Sequence, residues 1–554
     1  AAEEQPVSTN LQSAFQDCDA AINKFFSNDL VGAMNLMRPW GRTSLYHSLG
    51  TSIFAFIPAV LTFDQSQIAG TLASLKTCIS ICNKHRRNYT LVESIGTMIR
   101  KPNYGTYTDM EAHAELCYAE ALLLQALMFI MEGEDLTALI KVYALDCAKI
   151  LDKKQWDTEE SKVHFESGTR LGLAAFNLMI SLLPPKIISL LEFVGFSGDK
   201  HYGLRELEAG SRSPGMRSVL CDLTLLGYHL VISHFIGAHG DLDVCAAILE
   251  KQLKVYPDGV WFLVFKGRYQ LMQGQFRRAV TTYDAAVHTQ NTWPQFRHLC
   301  YWETMWVNGL MMEWREAASF ANRLLEESSW SRTIYTYAKA AMLFELGNQR
   351  TPTEIQQNAS YYKQRIAGKS LPMEKFMIRR CARFEAQGGR LLLPAIEMMC
   401  LWNMFTAFAN SEREAQNMLK VVEAARKQAE AGLPWAGNLQ ADSLALARYL
   451  HGCLLAAMRL PRLALDAFDG VFQLKNDIRE DTFLLPYTMA EMAMCFFQLG
   501  EKERSLQMLQ DARYGPIRNG LLYEYLARIN VELEISQREI RPQFVVLFYP
   551  YVAV

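Results

Sequence analysis

The side chains of this sequence that could bind a metal or act as nucleophiles are cysteines and histidines at helical spacings. Cys78 and Cys82 lie four residues apart, and His229, His234 and His239 follow one another at intervals of five. Steps of five place successive side chains about 140° apart around a helix, so the three imidazoles point in different directions. No second Cys or His pair at ligand spacing accompanies the two cysteines, and buried thiols are common in helical cores. We therefore predict no metal site and no cofactor.

Motifs typical of enzymes are missing from the sequence as well. It contains no HExxH and no GxSxG, and the glycines Gly195 and Gly198 lack the spacing and the preceding strand of a phosphate-binding loop. The acidic pairs Glu159-Glu160 and Glu326-Glu327 are adjacent in sequence and point apart on a helix. The sequence therefore predicts a protein without a catalytic centre.

Composition and charge favour a folded, intracellular protein. Half of the 554 residues are hydrophobic, and the formal net charge is −2, which gives no electrostatic reason to expect a nucleic acid partner. The basic runs at 84–87, 277–278 and 379–380 are interpreted as solvated helix ends or faces. The 12 scattered cysteines indicate a reducing compartment, and the first ten residues show no secretory signal.

Two uncharged windows, Thr43 to Phe63 and Leu223 to Gly240, raise the question of membrane spans. Both contain several polar residues, so we predict buried helices of a helical array rather than lipid-spanning helices. Convincing period-2 alternation occurs nowhere, and the fold class is predicted to be all α. The apolar tail 544–554 is expected to be either docked on the last helices or disordered.

A repeat of 34 residues or slightly more gives the architecture. Cys245 and Ala279 are 34 residues apart and occupy equivalent positions, and Ala317 follows 38 residues later. Helices of about 14 residues joined by glycine turns are typical of tetratricopeptide-like solenoids. We predict a superhelical array of antiparallel helix pairs, arranged as one superhelix or as two lobes, and left-handed turn glycines at Gly240, Gly274 and Gly500.

The sequence pattern divides the chain into five predicted regions. They are an N-terminal helical region with divergent repeats (10–220), regular repeats (221–347), an irregular helical connector (348–440), C-terminal repeats (441–540) and a tail (541–554).

Four segments carry a resemblance to a known family. They are the run 182–204, in which Pro184 and Pro185 end a long helix, the motif Arg38-Pro39-Trp40, the run from Tyr46 to Gly50, and the stretch from Tyr256 to Leu263. In these segments the chain resembles the tetratricopeptide-repeat protein 39 family and its fungal inclusion-body-clearance relatives. The resemblance implies an α-helical repeat protein without known catalytic residues. It also implies links to lipid and sterol regulation and to the mitochondrial outer membrane.

Two candidate binding sites follow from the repeat alignment and from the 182–204 run. The first helix of each pair is expected to line a groove, and Trp and Arg are enriched at binding hot spots. The candidate groove residues are His234, Trp261, Arg268, Met272, Trp302 and Trp306. For Trp302 and Trp306 the alternative is that they fill the core between repeats. A candidate docking hairpin comprises Pro184, Pro185, Phe193 and Phe196, with a purely structural breaker as the alternative.

The function predicted from these features is a non-catalytic scaffold or adaptor that binds a protein partner through its groove. Groove positions that would carry Lys, Asn and Arg in a chaperone-tail binder are mainly apolar here, so such a tail is not expected. The alternative is a membrane-peripheral or lipid-handling protein. We expect a cytoplasmic location, with the mitochondrial outer membrane or a lipid droplet as candidate surfaces.

Overall fold

The computed structural model describes ten stretches of the chain. They are residues 10–62, 64–87, 103–132, 147–181, 198–235, 240–328, 330–347, 365–366, 369–370 and 372–514. The candidate docking hairpin, with Pro184, Pro185, Phe193 and Phe196, lies outside the described residues, and so does the tail.

The described chain is a succession of α-helices. The first ten are α1 Leu11–Phe26, α2 Leu30–Met37, α3 Leu45–Thr62, α4 Gln65–His85, α5 Asp109–Glu132, α6 Cys147–Lys153, α7 Glu159–Ser181, α8 Lys200–Ser211, α9 Ser218–Gly227 and α10 Ser233–Phe235. Next come α11 Leu242–Val255, α12 Val260–Met272, α13 Phe276–Val287, α14 Pro294–Leu310, α15 Trp314–Glu327 and α16 Arg332–Glu345. The last are α17 Pro372–Ala386, α18 Pro394–Leu401, α19 Glu412–Ala431, α20 Gln440–Ala457, α21 Pro461–Phe472, α22 Leu484–Gln498 and α23 Lys502–Tyr514.

Short elements of other types connect these helices. A π-helical turn, Tyr228–Ile232, joins α9 to α10. The 3-10 helices are Arg38–Trp40, Tyr104–Thr106, Met404–Asn410 and Gly437–Leu439. Two two-residue strands, β1 Arg365–Ile366 and β2 Lys369–Ser370, pair antiparallel, with Arg365 opposite Ser370. The strand pair was not predicted, but the all-α class is confirmed.

Polar residues just before the helices explain where several of them begin. The side chains of Asn10, Asp64 and Asp241 accept hydrogen bonds from backbone N–H groups in the first turns of α1, α4 and α11. These N–H groups have no partner within the helix, so each cap stabilises its helix by about 1 kcal/mol.

Two of the three predicted turn glycines have the expected left-handed backbone conformation, and the third does not. Gly274 and Gly500 have φ values of +71° and +85°, as predicted for left-handed turns. Gly240 does not have a positive φ. A Cβ atom at Gly240 would instead collide with the carbonyl oxygen of His229, so this glycine allows two backbone segments to approach closely.

Close packing within helix pairs depends on small residues at fixed positions. A Cβ atom on Gly267 of α12 would lie 2.5 Å from Cε1 of Tyr283 on α13, and one on Gly452 of α20 would collide with the ring of Phe468 on α21. In both pairs the aromatic residue follows the glycine by 16 positions. Ala279 is fully buried, as expected for the small residue of the second helix.

Consecutive helices pack against each other from α11 to α16, which are the repeats recognised in the sequence. Helices α12, α14 and α16 are the first helices of their pairs, and α13 and α15 are second helices. The continuous helical run 218–235 is the first helix before α11. The five-region division of the chain stays a prediction.

Candidate functional site: a repeat groove filled by the chain itself

The tryptophans predicted to line the groove lie inside the protein. Trp302 and Trp306, one turn apart on α14, are each 0% exposed. Their rings meet edge to face with centroids 5.2 Å apart. The prediction that they face an open groove is therefore wrong, and the alternative, a position in the core, is what the structure shows. A spacing of four residues on a helix is compatible with core packing and with ligand binding, so the sequence could not distinguish a core position from a groove position.

The side chain that covers these tryptophans belongs to the same chain. Trp402, directly after α18, has its ring centroid 5.9 Å from that of Trp302 and 5.4 Å from that of Trp306. We call Pro394–Asn410, which comprises α18 and the 3-10 helix Met404–Asn410, the inner segment. It packs against the first helices α12, α14 and α16, which form the repeat groove.

Asparagine side chains of the inner segment bind carbonyl groups at the C-terminal ends of repeat helices. Asn403 Nδ2 donates to the carbonyl oxygen of His234, 2.6 Å away, and Asn410 Nδ2 donates to that of Met272 at 2.9 Å. Thr406 Oγ1 lies 3.1 Å from Nδ1 of His234. The last carbonyls of a helix lack partners within it, so these amides act as caps from another part of the chain. His234 and Met272 thus take part in an internal contact.

The inner segment also contributes a large apolar surface. Its large apolar side chains that are at most 4% exposed are Ile396, Met398, Met399, Trp402, Met404, Phe405 and Phe408. Burying seven such side chains stabilises the folded chain by roughly 10 to 20 kcal/mol, as an upper estimate. That is comparable to the whole stability of a typical domain, about 5 to 15 kcal/mol.

A family model and a known protein match most of this chain. The model of the Iml2/Tetratricopeptide repeat protein 39 family matches residues 19–458. The chain belongs to this family. It is 30% identical over 508 residues to "Tetratricopeptide repeat protein ttc-39B" of Caenorhabditis elegans, covering 88% of this chain and 86% of that protein.

Two solved structures match this chain with low sequence identity and low TM-scores. A tetratricopeptide repeat protein from Parabacteroides merdae is 13% identical, with a TM-score of 0.24, and the match covers 56% of this chain and 98% of that one. The APC/C hetero-tetramer Cut9-Hcn1 is 12% identical, with a TM-score of 0.25, covering 94% and 97% respectively.

Arg268 of this Iml2/Tetratricopeptide repeat protein 39 family member is engaged inside the protein. Its Nη1 lies 3.0 Å from the Glu303 carboxylate, and its Nε donates to the carbonyl oxygen of Leu230 at 3.2 Å. Tyr283 donates its hydroxyl to the same carboxylate at 3.1 Å. Arg268 and Glu303 are each 1% exposed. Arg268 therefore does not line an open groove in this structure, and Glu303 supplies the counter-charge that a buried arginine requires.

Trp261 is half-buried and is covered from the N-terminal side. Its ring centroid lies 4.8 Å from that of Phe296 and 6.2 Å from that of Phe25 on α1. Phe25 belongs to α1, so the N-terminal region contacts α12, the helix that the 3-10 helix of the inner segment also contacts.

The stretch from Tyr256 to Leu263, part of the family resemblance, is where α1 docks. Asn28 Nδ2 donates to the carbonyl oxygen of Asp258 at 2.6 Å, and Asn28 Oδ1 accepts from the N–H of Val260 at 3.0 Å. A Cβ atom on Gly259 would lie 2.6 Å from the carbonyl oxygen of Phe26. The glycine is therefore needed for close approach of two backbones.

A buried charge network, on the side of the inner segment away from the repeat groove, was not predicted from the sequence. Arg380 binds both carboxylate oxygens of Glu397 and reaches Asp481 at 2.7 Å, while Arg383 contacts Asp481 at 2.6 Å. Burial alone would raise the pKa of Asp481, but the two guanidinium groups bring it below its usual value. The expectation that the run 379–380 is solvated holds for Arg379 and is wrong for Arg380, which is 4% exposed.

The cysteine pair considered as a candidate metal or redox site lies in the core of the protein. Cys78 and Cys82 are fully buried, and the hydrogen bond to Cys78 together with burial raises the pKa of the Cys82 thiol far above its usual value. Within the described stretches, no three His, Cys, Asp or Glu side chains are grouped so that they could hold a metal ion.

Proposed function

We propose that this protein is a helical-repeat scaffold that binds a protein partner on the outer face of its repeats. The observation that carries the proposal is that the first helices are covered by other parts of the chain and the second helices are exposed. The first helices are covered by the inner segment and by α1, whereas the second helices α13 and α15 expose charged residues such as Arg277, Arg278 and Arg315. Stacked helix pairs present extended surfaces that suit protein recognition. Lipid or sterol regulation, as the process served, rests on the family resemblance.

The test is capture of partners by the tagged full chain, with lysine cross-linking and mass spectrometry to locate the contact. Lys251 and Lys254 on α11 are exposed and report on the outer face. Charge reversal by Arg277→Glu with Arg278→Glu is expected to reduce the amount of captured partner at least tenfold. Arg462→Glu, an exposed charge on α21, serves as the matched control.

Two results would refute this proposal. One is that no protein is enriched by the full chain over a control bait. The other is that a captured partner is cross-linked at neither Lys251 nor Lys254 and is retained by the double charge-reversal variant.

A membrane-peripheral role is the second candidate, because two helical runs are long and apolar enough to cross a bilayer. They are Leu45–Thr62 and Ser218–Phe235, whose apolar windows are 44% and 50% buried inside the protein. On α3, Phe56 and Ile57 are only half-buried. Partly exposed apolar side chains on a helix suit contact with a lipid surface, such as the mitochondrial outer membrane or a lipid droplet.

Flotation of the purified full chain with phosphatidylcholine vesicles tests the second candidate. Phe56→Asp with Ile57→Asp is expected to abolish flotation, whereas Val31→Asp, at a site 54% exposed on α2, is expected to leave it unchanged. Phe193→Asp with Phe196→Asp tests the predicted docking hairpin separately. Absence of flotation for the unmodified protein would eliminate this role.

A further inference from the structure

The inner segment contacts the protein on two opposite sides. On one side Trp402, Asn403 and Asn410 contact the first helices of the repeats. On the other, α18 and the 3-10 helix that follows it pack against α20, and Glu397 is bound by Arg380. A segment enclosed in this way leaves the groove only if both sets of contacts break together.

The backbone of the inner segment is shaped by its surroundings and not by local preference. Leu393, immediately before α18, has φ +49°, and Asn403, shortly after it, has φ +59°. Asparagine tolerates the left-handed region, but leucine does not favour it. Such conformations persist where tertiary contacts impose them.

We infer that Pro394–Asn410 is a permanent intramolecular ligand of the repeat groove, which closes that groove to partner peptides. The inference deepens the proposed function, and rests on it, by stating where a partner does not bind. It follows from the dual enclosure, from the caps on the carbonyls of His234 and Met272, and from the contact of Trp402 with Trp302 and Trp306. A partner of this protein then has to use surfaces other than the first helices.

Hydrogen–deuterium exchange on the full chain tests whether the segment ever leaves. The backbone amides of α18 are expected to exchange within threefold of the rate of those in the middle of α14, since both open only when the protein unfolds. Exchange at least 100-fold faster in α18, with α14 still protected, would overturn the inference.

A peptide probe tests the closure directly. A fluorescein-labelled peptide with the sequence of residues 394–410 is titrated into the unmodified protein, with a scrambled peptide as control. No saturable binding is expected up to the solubility limit of the peptide. Saturable binding of the native sequence alone would show that the groove is open and would overturn the inference.

The complex with a captured partner separates this inference from the proposed function. If no partner is captured while α18 stays protected, the scaffold function fails and the closure stands. If a partner is captured and the amides of 394–410 lose protection at least tenfold in the complex, the partner enters the groove, so the scaffold function stands and the closure fails.

Discussion

Trp402 packs 5.4 Å from Trp306, between ring centroids, although nearly a hundred residues separate them in the sequence. The indole N–H groups of both, and that of Trp302, have no hydrogen-bond acceptor among the described residues. Ring packing and apolar burial therefore hold this cluster without hydrogen bonds from its indole N–H groups.

Trp402→Ala is expected to lower the free energy of unfolding by about 3 to 5 kcal/mol, because it leaves a cavity between two rigid aromatic rings. Trp402→Phe is expected to cost less than half as much, since it removes an N–H group that already lacks an acceptor. Urea denaturation followed by circular dichroism measures both. Leu463→Ala, at a site 53% exposed on α21, is the control, with an expected change within about 0.5 kcal/mol. Equal losses for the alanine and phenylalanine variants would contradict this account.

Glu303→Gln is expected to destabilise the protein by about 3 to 5 kcal/mol, because it leaves Arg268 buried without its counter-charge. Glu313→Gln removes the acidic partner of the exposed Arg277, 2.8 Å away, and is expected to change stability by at most about 1 kcal/mol. Thermal and urea unfolding of the two variants make the comparison. A loss below about 1 kcal/mol for Glu303→Gln would show that the buried pair is not needed.

His113 is expected to make the folded state less stable in mild acid. Burial, assisted by Arg217, lowers its pKa to about 3, and its ring contacts the Tyr46 hydroxyl at 2.6 Å and the Ser161 hydroxyl at 3.0 Å. Below pH 6.5 the unfolded chain binds a proton at this histidine and the folded chain does not. The contribution of this neutral histidine to the free energy of unfolding is therefore fully present above about pH 6.5 and decreases as the pH falls toward 3.

Between pH 6.5 and pH 5 this single group is expected to remove about 2 kcal/mol of stability. His113→Gln should reduce the loss of unfolding free energy between pH 6.5 and pH 5 by that amount and so flatten the slope, whereas His288→Gln, at an exposed site on the surface, should not. Urea unfolding at several pH values provides the slopes. An unchanged slope in His113→Gln would mean that the ring does not stay neutral when folded.

Gly267→Ala is expected to destabilise the protein by about 1 to 3 kcal/mol, because the new methyl group would overlap the ring of Tyr283. Gly172→Ala is the matched helical control: its Cβ meets nothing within 4 Å, and the substitution should stabilise α7 by about 0.5 to 1 kcal/mol. Opposite signs in thermal unfolding are the expected result. Destabilisation by both would indicate a helix-wide effect and not a local overlap.

Much of the fold was accessible from the sequence because it depends on short-range patterns. Periodic apolar residues and the turn glycines Gly274 and Gly500 act within a few residues of themselves. The equivalent positions Cys245, Ala279 and Ala317 revealed the helix-pair repeat, and all three are fully buried.

The candidate site was much less accessible, because it is made by contacts between distant parts of the chain. Arg379 and Arg380 are neighbours in sequence, yet the first is solvated and the second is bound by Glu397 and Asp481. The sequence also gave no sign that Trp402 would cover Trp302 and Trp306.

The amino-acid pattern by itself determined that this protein is an all-α array of helix pairs, since helix periodicity and turn chemistry are local properties. Only the tertiary structure decided which face of the array remains accessible. That choice depends on where a distant segment finds the largest apolar surface to bury, and burial favours contact wherever apolar surfaces fit, regardless of separation along the chain.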